Sequence, residues 1–340
     1  MASTETPRLG WIGEPLNDCF NESTLTRTGL GSMGLAMATN LQRHLSQTGS
    51  PSLTYHNRTM SRGEPLRELG ASPSPTINHL LANTDIIFLS LSDDTALAST
   101  LDALTSSNDA TPLLPGKIIV DTSTVHPSSS ANAHERLAAH GAQFIAAPVF
   151  GASPVAAKGQ LLWALAGADD AIRAVTPFLV GVMARGVIRL GEDVTRSSLL
   201  KTAGNFVNAG MMELVAEAHV FAEKTGLGSH AIESLLEQQF GPLAHSMSRR
   251  LTTGAYMPAP GERPWSDLNL ALKDVGHGIS CAADAGARLP VAEVAMRHLQ
   301  EASEEGRPLD SSSMYGVLRR QAGLDFATDL VKERDDTLNS

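Results

Sequence analysis

The sequence predicts a doubly wound α/β domain built on a parallel sheet, followed by an all-helical domain, and three observations carry that reading. Short β-rich runs alternate with helical patterns as far as Gly191. The runs are apolar at successive positions, as strands covered on both faces must be. After Gly191 the strand-like runs stop, and a long stretch rich in Ala, Leu, Met and Glu takes over.

In chain order the strand candidates are "RLGWIG" (8–13), "SLTYHN" (52–57), "DIIFLSL" (85–91), "KIIVDTS" (117–123) and "QFIAAPV" (143–149), with "LLWALAG" (161–167) and "GVIRLG" (186–191) closing the region. Between Thr195 and Thr225 no proline occurs and only Gly204 and Gly210 interrupt the pattern. One helix of about 30 residues is expected there, roughly 45 Å long. Further helical patterns cover 229–239, 266–285 and 290–304, with a Pro/Gly loop, "YMPAPGERP", at 256–264. The expected division is a first domain over 1–191, a helical domain over 192–332, and a polar tail, 333–340, expected to fray.

At 340 residues and 42% hydrophobic content, the chain has the size of about two soluble globular domains. A net charge of −10 with no Lys/Arg block speaks against nucleic acid as a partner. No apolar run is long enough to span a membrane, and "MASTETPRLGWIG" lacks a basic stretch followed by an apolar core, so a cytoplasmic protein is expected. Cys19 and Cys281 cannot make a disulfide framework and are expected as thiols, although counting leaves a single bridge open. No metal-ligand spacing appears; His126 and His277 are expected to be structural, and Trp163 and Trp265 to be packing residues.

"GLGSMG" sets Gly29, Gly31 and Gly34 at G-x-G-x-x-G spacing, with Leu30, Ser32 and Met33 between them and the helical run "LAMATNLQRHL" behind. Such spacing permits a tight turn, close approach of backbone N–H groups to a pyrophosphate at a helix N-terminus, and close helix–strand packing. This is the signature of a Rossmann-type dinucleotide-binding domain. At the end of "SLTYHN" come Asn57, Arg58 and Thr59, where folds that prefer NAD normally carry an acidic residue for the ribose 2′-hydroxyl. A guanidinium and two neutral hydrogen-bonding groups suit a 2′-phosphate, so NADP is the expected cofactor, with NAD as the alternative. For Arg58 itself the alternative is a surface arginine after a strand.

The turn is interrupted. Deleting residues 14–29 restores a continuous "LGWIG-LGSMGLAMATNL", whereas strand-to-helix connections of this kind are usually about 2–6 residues. The polar, patternless "EPLNDCFNESTLTRT" reads as a translated intron: Gly13-Glu14-Pro15 can encode a GTGAGC donor, Leu25-Thr26 a CTAAC branch site and Thr28-Gly29 an AG acceptor. A genuine added loop is the alternative. If the segment is present, the helix is expected to keep its place on the sheet and the segment to loop out.

Later segments follow in order: "DTSTVHP" (121–127), "APVFGASPVAAKGQL" (147–161), "KTAGNFVNAG" (201–210) and "LNLALKDVGHG". With the glycine turn, they resemble the signatures of the β-hydroxyacid dehydrogenase family, which includes 3-hydroxyisobutyrate dehydrogenases and glyoxylate/succinic-semialdehyde reductases, over about residues 8 to 330. The resemblance implies an NADP-dependent oxidoreductase acting on a small molecule, interconverting a 3-hydroxy-acid-like compound and its aldehyde or ketone. It makes Lys201 the general acid/base, Asn205 its positioning partner and Ser123 a substrate hydrogen-bonding residue. Leu91, Ser92, Thr124 and Lys273, the last with Asp274 beside it, fall on the cofactor side. The chemistry agrees, because Lys201 and Asn205 are four apart on a predicted helix and share a face, and an ammonium can stabilise developing alkoxide charge. Residue by residue, the alternatives are a solvated helix face for Lys201 and Asn205, and capping of a helix near Pro127 for Ser123 and Thr124.

One segment departs from the family, whose usual D-A-P-V-S-G-G becomes Ala146, Ala147, Pro148, Val149, Phe150, Gly151 and Ala152. Phe150 replaces a serine that, with the glycines, holds a substrate carboxylate in the family. Phe150, Gly151 and Ala152 therefore join Ser123 and Lys201 as expected substrate contacts, for a bulkier or less polar substrate. Relatives that reduce imines generally replace the catalytic lysine, so Lys201 points to carbonyl/alcohol chemistry; the other alternative is a weakly catalytic dinucleotide-binding or interaction protein on the same fold. Phe206, Met211, Met212, Leu214, Val220 and Phe221 recur around the long helix on more faces than one domain contact requires, so a homodimer or larger homo-oligomer through the helical domain is expected.

Overall fold

The computed structural model describes residues 6–13, 30–106 and 112–339. The interrupting segment 14–29, with Cys19 and Gly29 in it, lies outside the described residues. The chain divides into two compact units, one up to Lys201 and one from Thr202, so the division falls inside a helix rather than at Gly191.

The first unit is built on a six-stranded, all-parallel sheet in the order β3-β2-β1-β4-β5-β6. Its strands are β1 (Leu9–Ile12), β2 (Thr54–His56), β3 (Ser72–Pro73), β4 (Ile86–Leu89), β5 (Ile118–Asp121) and β6 (Gln143–Ala146). Between them run α1 (Ser32–Thr48), α2 (Glu64–Glu68), α3 (Ile77–Asn83), α4 (Asp94–Thr105) and α5 (Pro127–Ala139). Alternate strand residues go to opposite faces, and both faces are apolar. Leu9, Trp11, Ile86, Phe88 and Val120 pack with Met37, Ala38, Leu41 and Leu45 of α1. Ile12, Ile87, Leu89 and Ile119 pack on the other side with Leu97 and Leu101 of α4 and Leu137 of α5. β3 gives no sequence signal because it is two exposed residues, one of them proline.

"LLWALAG" and "GVIRLG" do form strands, but they do not extend this sheet. β7 (Val149–Phe150), β8 (Leu161–Leu165) and β9 (Ala184–Arg189) make a separate three-stranded sheet, with β7 antiparallel and β9 parallel to β8. α6 (Ser153–Ala157) and α7 (Asp169–Val175) lie in the connections. Trp163 of β8 is fully buried and meets Phe88 edge-on, while Phe88 stacks on Trp11. Trp265, expected to pack, is instead 44% exposed.

The expected long helix is α8 (Thr195–Thr225), and α9 (Ser229–Thr252), α10 (Leu268–Asp284), α11 (Pro290–Ser303), α12 (Met314–Gln321) and α13 (Asp329–Asn339) follow it. α9 outruns its expected end at 239 because Gly241, at φ +81°, breaks the helix and Pro242 opens a second segment where its missing N–H costs nothing. Residues 333–339 of the tail are helical, not frayed: Val331 is buried, Arg334 donates to the Met257 carbonyl (2.9 Å), and Asp335 pairs with Arg334 (2.7 Å). Cys281 is half-buried on α10. Among the described residues no helix is long and apolar enough to cross a membrane.

Inside the second unit, His219 of α8 is fully buried, with Nε2 2.8 Å from Ser248 Oγ of α9 and no partner for Nδ1. Burial pushes its pKa down, only partly opposed by the Glu233 carboxylate. The folded chain therefore holds His219 neutral while the unfolded chain protonates it near pH 6.5. The sign follows: this stabilisation is complete above the unfolded value and is lost as pH falls toward the depressed folded one, at no more than about 1.4 kcal/mol per pH unit. Glu213, whose carboxyl is raised by burial despite His298 beside it, acts in the opposite sense, so the comparison must be with a variant. Between pH 7.5 and 5.5 the melting temperature of the wild type should drop further than that of His219→Gln. Equal drops, measured by circular dichroism melts, would count against His219 as the source.

Candidate active site

In an open parallel sheet of this order, ligands bind beyond the carboxyl ends of the strands, at the point where the order reverses between β1 and β4. α1 begins there. Its N-cap is Gly31, no side chain caps it, and its first turn carries no acidic residue, so the first-turn N–H groups of Ser32, Met33 and Gly34 are left for an anion. Gly34 lets the helix lie close: a Cβ there would fall 2.9 Å from Ser90 Oγ and 3.2 Å from Ser90 Cβ. Gly29, the first glycine of the motif, is outside the described residues. A dinucleotide pyrophosphate fits this donor set.

Leu30 is buried, and its N–H donates to Asn57 Oδ1 at 2.7 Å. Asn57 is itself buried, and its Nδ2 donates to the Thr59 carbonyl at 2.7 Å. Its amide thus joins the end of β2 to the glycine turn. Arg58 and Thr59 are exposed just beyond β2, and the next acidic side chain in the chain is Glu64.

Beyond β4, the buried Leu91 donates its N–H to Ser123 Oγ at 2.9 Å, and Ser92 donates to Asp93, the N-cap of α4. Beyond β5, the Ser123 N–H is held by Asp121 Oδ1 (3.0 Å), and Thr122 Oγ donates to the Leu89 carbonyl (2.7 Å). Ser123 and its neighbour Thr124 do not cap α5; His126 does, with its ring accepting from the Ser128 N–H. Ser123 is accordingly fixed between the ends of β4 and β5. Asp121, two residues before the serine it orients, was legible as an Asx turn but was not singled out.

Lys201, at the end of the first unit, donates from Nζ to the Val149 carbonyl at 2.8 Å. The same nitrogen lies 4.8 Å from the centre of the Phe150 ring. Gly151 follows at φ +133°, where a Cβ would meet Leu161 at 2.7 Å, and Ala152 is the N-cap of α6. The ammonium is therefore seated on β7.

In the second unit, Asn205 donates from Nδ2 to Asp274 Oδ2 at 2.7 Å, and Lys273 Nζ lies 2.7 Å from Asp274 Oδ1. Asp274 is the junction that ties α8 to α10, a role the spacing of Lys273 and Asp274 alone did not reveal. Among the described residues, no three His, Cys, Asp or Glu side chains are placed to hold a metal.

Residues 24–191 match the family described as the NAD binding domain of 6-phosphogluconate dehydrogenase, and residues 196–318 the family described as NAD-binding of NADP-dependent 3-hydroxyisobutyrate dehydrogenase. Over 300 residues the chain is 31% identical to the NADH-dependent oxidoreductase ucdB of Aspergillus ustus, covering 87% of this chain and 99% of that one. Over 248 residues it is 30% identical to the chloroplastic glyoxylate/succinic semialdehyde reductase 2 of Arabidopsis thaliana, covering 72% of this chain and 66% of that one. Its fold is like that of the crystal structure of 3-hydroxyisobutyrate dehydrogenase (ygbJ) from Salmonella typhimurium, with a TM-score of 0.74 at 19% identity over 91% of this chain and 99% of that one. With identity at this level along nearly the whole of the Aspergillus protein, and the two family matches in chain order, the chain belongs to the β-hydroxyacid dehydrogenase family of NAD(P)-dependent oxidoreductases.

Proposed function

We propose that this protein is an NADP-dependent oxidoreductase that interconverts a hydroxy compound and its aldehyde or ketone, with Lys201 as the general acid/base. The observation that carries this reading is the seat of the Lys201 ammonium, held by the Val149 carbonyl at 2.8 Å and by the Phe150 ring. Both are neutral groups that attract an ammonium yet can release its proton. When bound, the nicotinamide cofactor supplies the hydride in reduction and takes it in oxidation. The uncapped N-terminus of α1 holds the pyrophosphate, and Arg58 pairs with the 2′-phosphate. Ser123 Oγ already accepts the Leu91 N–H, which leaves its own hydrogen to donate to the substrate oxygen. Lys201 then protonates that oxygen as charge develops on it, and takes the proton back in the reverse direction. Asn205 gives its N–H to Asp274 and keeps its carbonyl oxygen as the acceptor that the positioning partner of an ammonium needs. Phe150, Gly151 and Ala152 line the substrate side.

Three measurements test this. The Aspergillus relative is called NADH-dependent, whereas the preference proposed here rests on Arg58 and Thr59 at the end of β2. Titration of protein lacking residues 14–29 should give tighter binding of NADPH than of NADH, and Arg58→Ala should weaken NADPH binding by about 1.5–3 kcal/mol. Equal or tighter NADH binding would refute the preference.

Lys201→Ala should lower turnover of small aldehydes or keto acids by about 10²-fold or more while NADPH affinity stays as in the wild type. Wild-type turnover in that variant would remove Lys201 from the chemistry.

The third concerns assembly. Val207, Leu214 and Phe221 recur every seven residues on α8 and are 50%, 63% and 60% exposed, so a continuous apolar stripe faces outward. A homodimer through the helical unit covers it, and light scattering at micromolar concentration should report twice the chain mass. A monodisperse monomer is the contrary result.

A further inference from the structure

We propose that Phe150 is a positioning residue for Lys201: the face of its ring holds the ammonium on β7 while leaving it able to give its proton away. The inference rests on the reading of Lys201 as the proton donor and adds to it the residue that keeps the donor in place. The nitrogen meets the Val149 carbonyl at 2.8 Å and the Phe150 ring centre at 4.8 Å, two groups from consecutive residues of one two-residue strand. That strand has little freedom. Val149 pairs with Trp163 and Phe150 with Leu162 on β8, and Trp163 is fully buried. Gly151 turns the chain immediately afterwards in a conformation and a space that admit only glycine. The ring is therefore presented by a rigid edge.

A ring face differs from a hydroxyl or a carboxylate as a holder of a proton donor. It attracts the positive charge as a whole and accepts no directed hydrogen bond, so the ring helps to hold the ammonium without taking up any of its three N–H donors. The attraction also depends on the charge. It is present while the lysine carries its proton and vanishes when the proton has moved to the substrate oxygen, so the ring favours the loaded donor at the start of a reductive turnover. A leucine at this position would fill the space and pack on the strand but would lack the ring quadrupole.

The test combines a contact readout with kinetics. The chain has six lysines, so protein labelled with 13C at lysine Cε gives a countable NMR spectrum, in which Lys201→Ala identifies the Lys201 signal. In the wild type the Lys201 ε-methylene protons should be displaced upfield of the others by the ring. Phe150→Leu should return them to the common position, and Phe150→Tyr should displace them again. In parallel, Phe150→Leu should lower kcat for the aldehyde that the wild type reduces best with NADPH by about 3-fold to 30-fold, because the donor is then no longer held in place for the substrate oxygen, with KM and NADPH affinity little changed. Phe150→Tyr should recover most of that loss. In the Lys201→Ala background, Phe150→Leu should have almost no further effect, because a residue that acts only through Lys201 has nothing left to position. Melting temperatures confirm that each variant is folded. A Lys201 signal among the other lysines, wild-type kcat in Phe150→Leu, no recovery in Phe150→Tyr, or an undiminished loss in the Lys201→Ala background would each overturn the proposal. Wild-type turnover in Lys201→Ala alone strikes instead at the reading of Lys201 as the donor, and is told apart because the ring displacement survives it in the wild type.

Discussion

What the first unit presents at its carboxyl edge depends on how closely α1 can lie on the sheet at Gly34. The space there is already closed by Ser90, so a side chain would have to displace Ser90 or the start of the helix. Lifting it would carry the uncapped first turn away from the strand ends, and with it the Leu30 N–H that Asn57 holds. The contact is maintained from the far end of the same helix, where Met37, Ala38, Leu41 and Leu45 bury their side chains against Leu9, Trp11 and Phe88. Core packing and anion site are two ends of one rigid element, and the glycine is where they meet.

The parallel sheet and the long helix were legible because their signals are local: runs apolar on both faces, and thirty residues without a breaker. The membership of a strand in a sheet is not local. β8 has the buried, apolar composition of strands in the parallel sheet, and its pairing with β7 and β9 sets it apart. The second half of α9 was hidden behind Gly241-Pro242, a pair that reads as a stop and here marks a kink. At the site, spacing identified residue types but not their partners. Asn57 reads as a group offered to a cofactor, and spacing did not show that its amide also links Leu30 to Thr59. Phe150 reads as a missing hydroxyl, yet it stands under an ammonium 51 positions further along the chain, a relation that no periodicity reports.

The two lysines of the resemblance meet different kinds of group. Lys273 faces a carboxylate at 2.7 Å, a full opposite charge that also takes the Asn205 amide. Lys201 rests on a carbonyl oxygen and a ring face, which hold a cation without being ionised themselves.

The ends of the interrupted turn are held independently of each other. The Gly13 N–H donates to the His56 carbonyl at 2.9 Å and the Leu30 N–H to Asn57 Oδ1 at 2.7 Å, so two consecutive residues of a neighbouring strand grip both sides of the break. The end of the strand and the start of the helix are thus indexed to one neighbour, so that a displacement of His56 and Asn57 would carry both together.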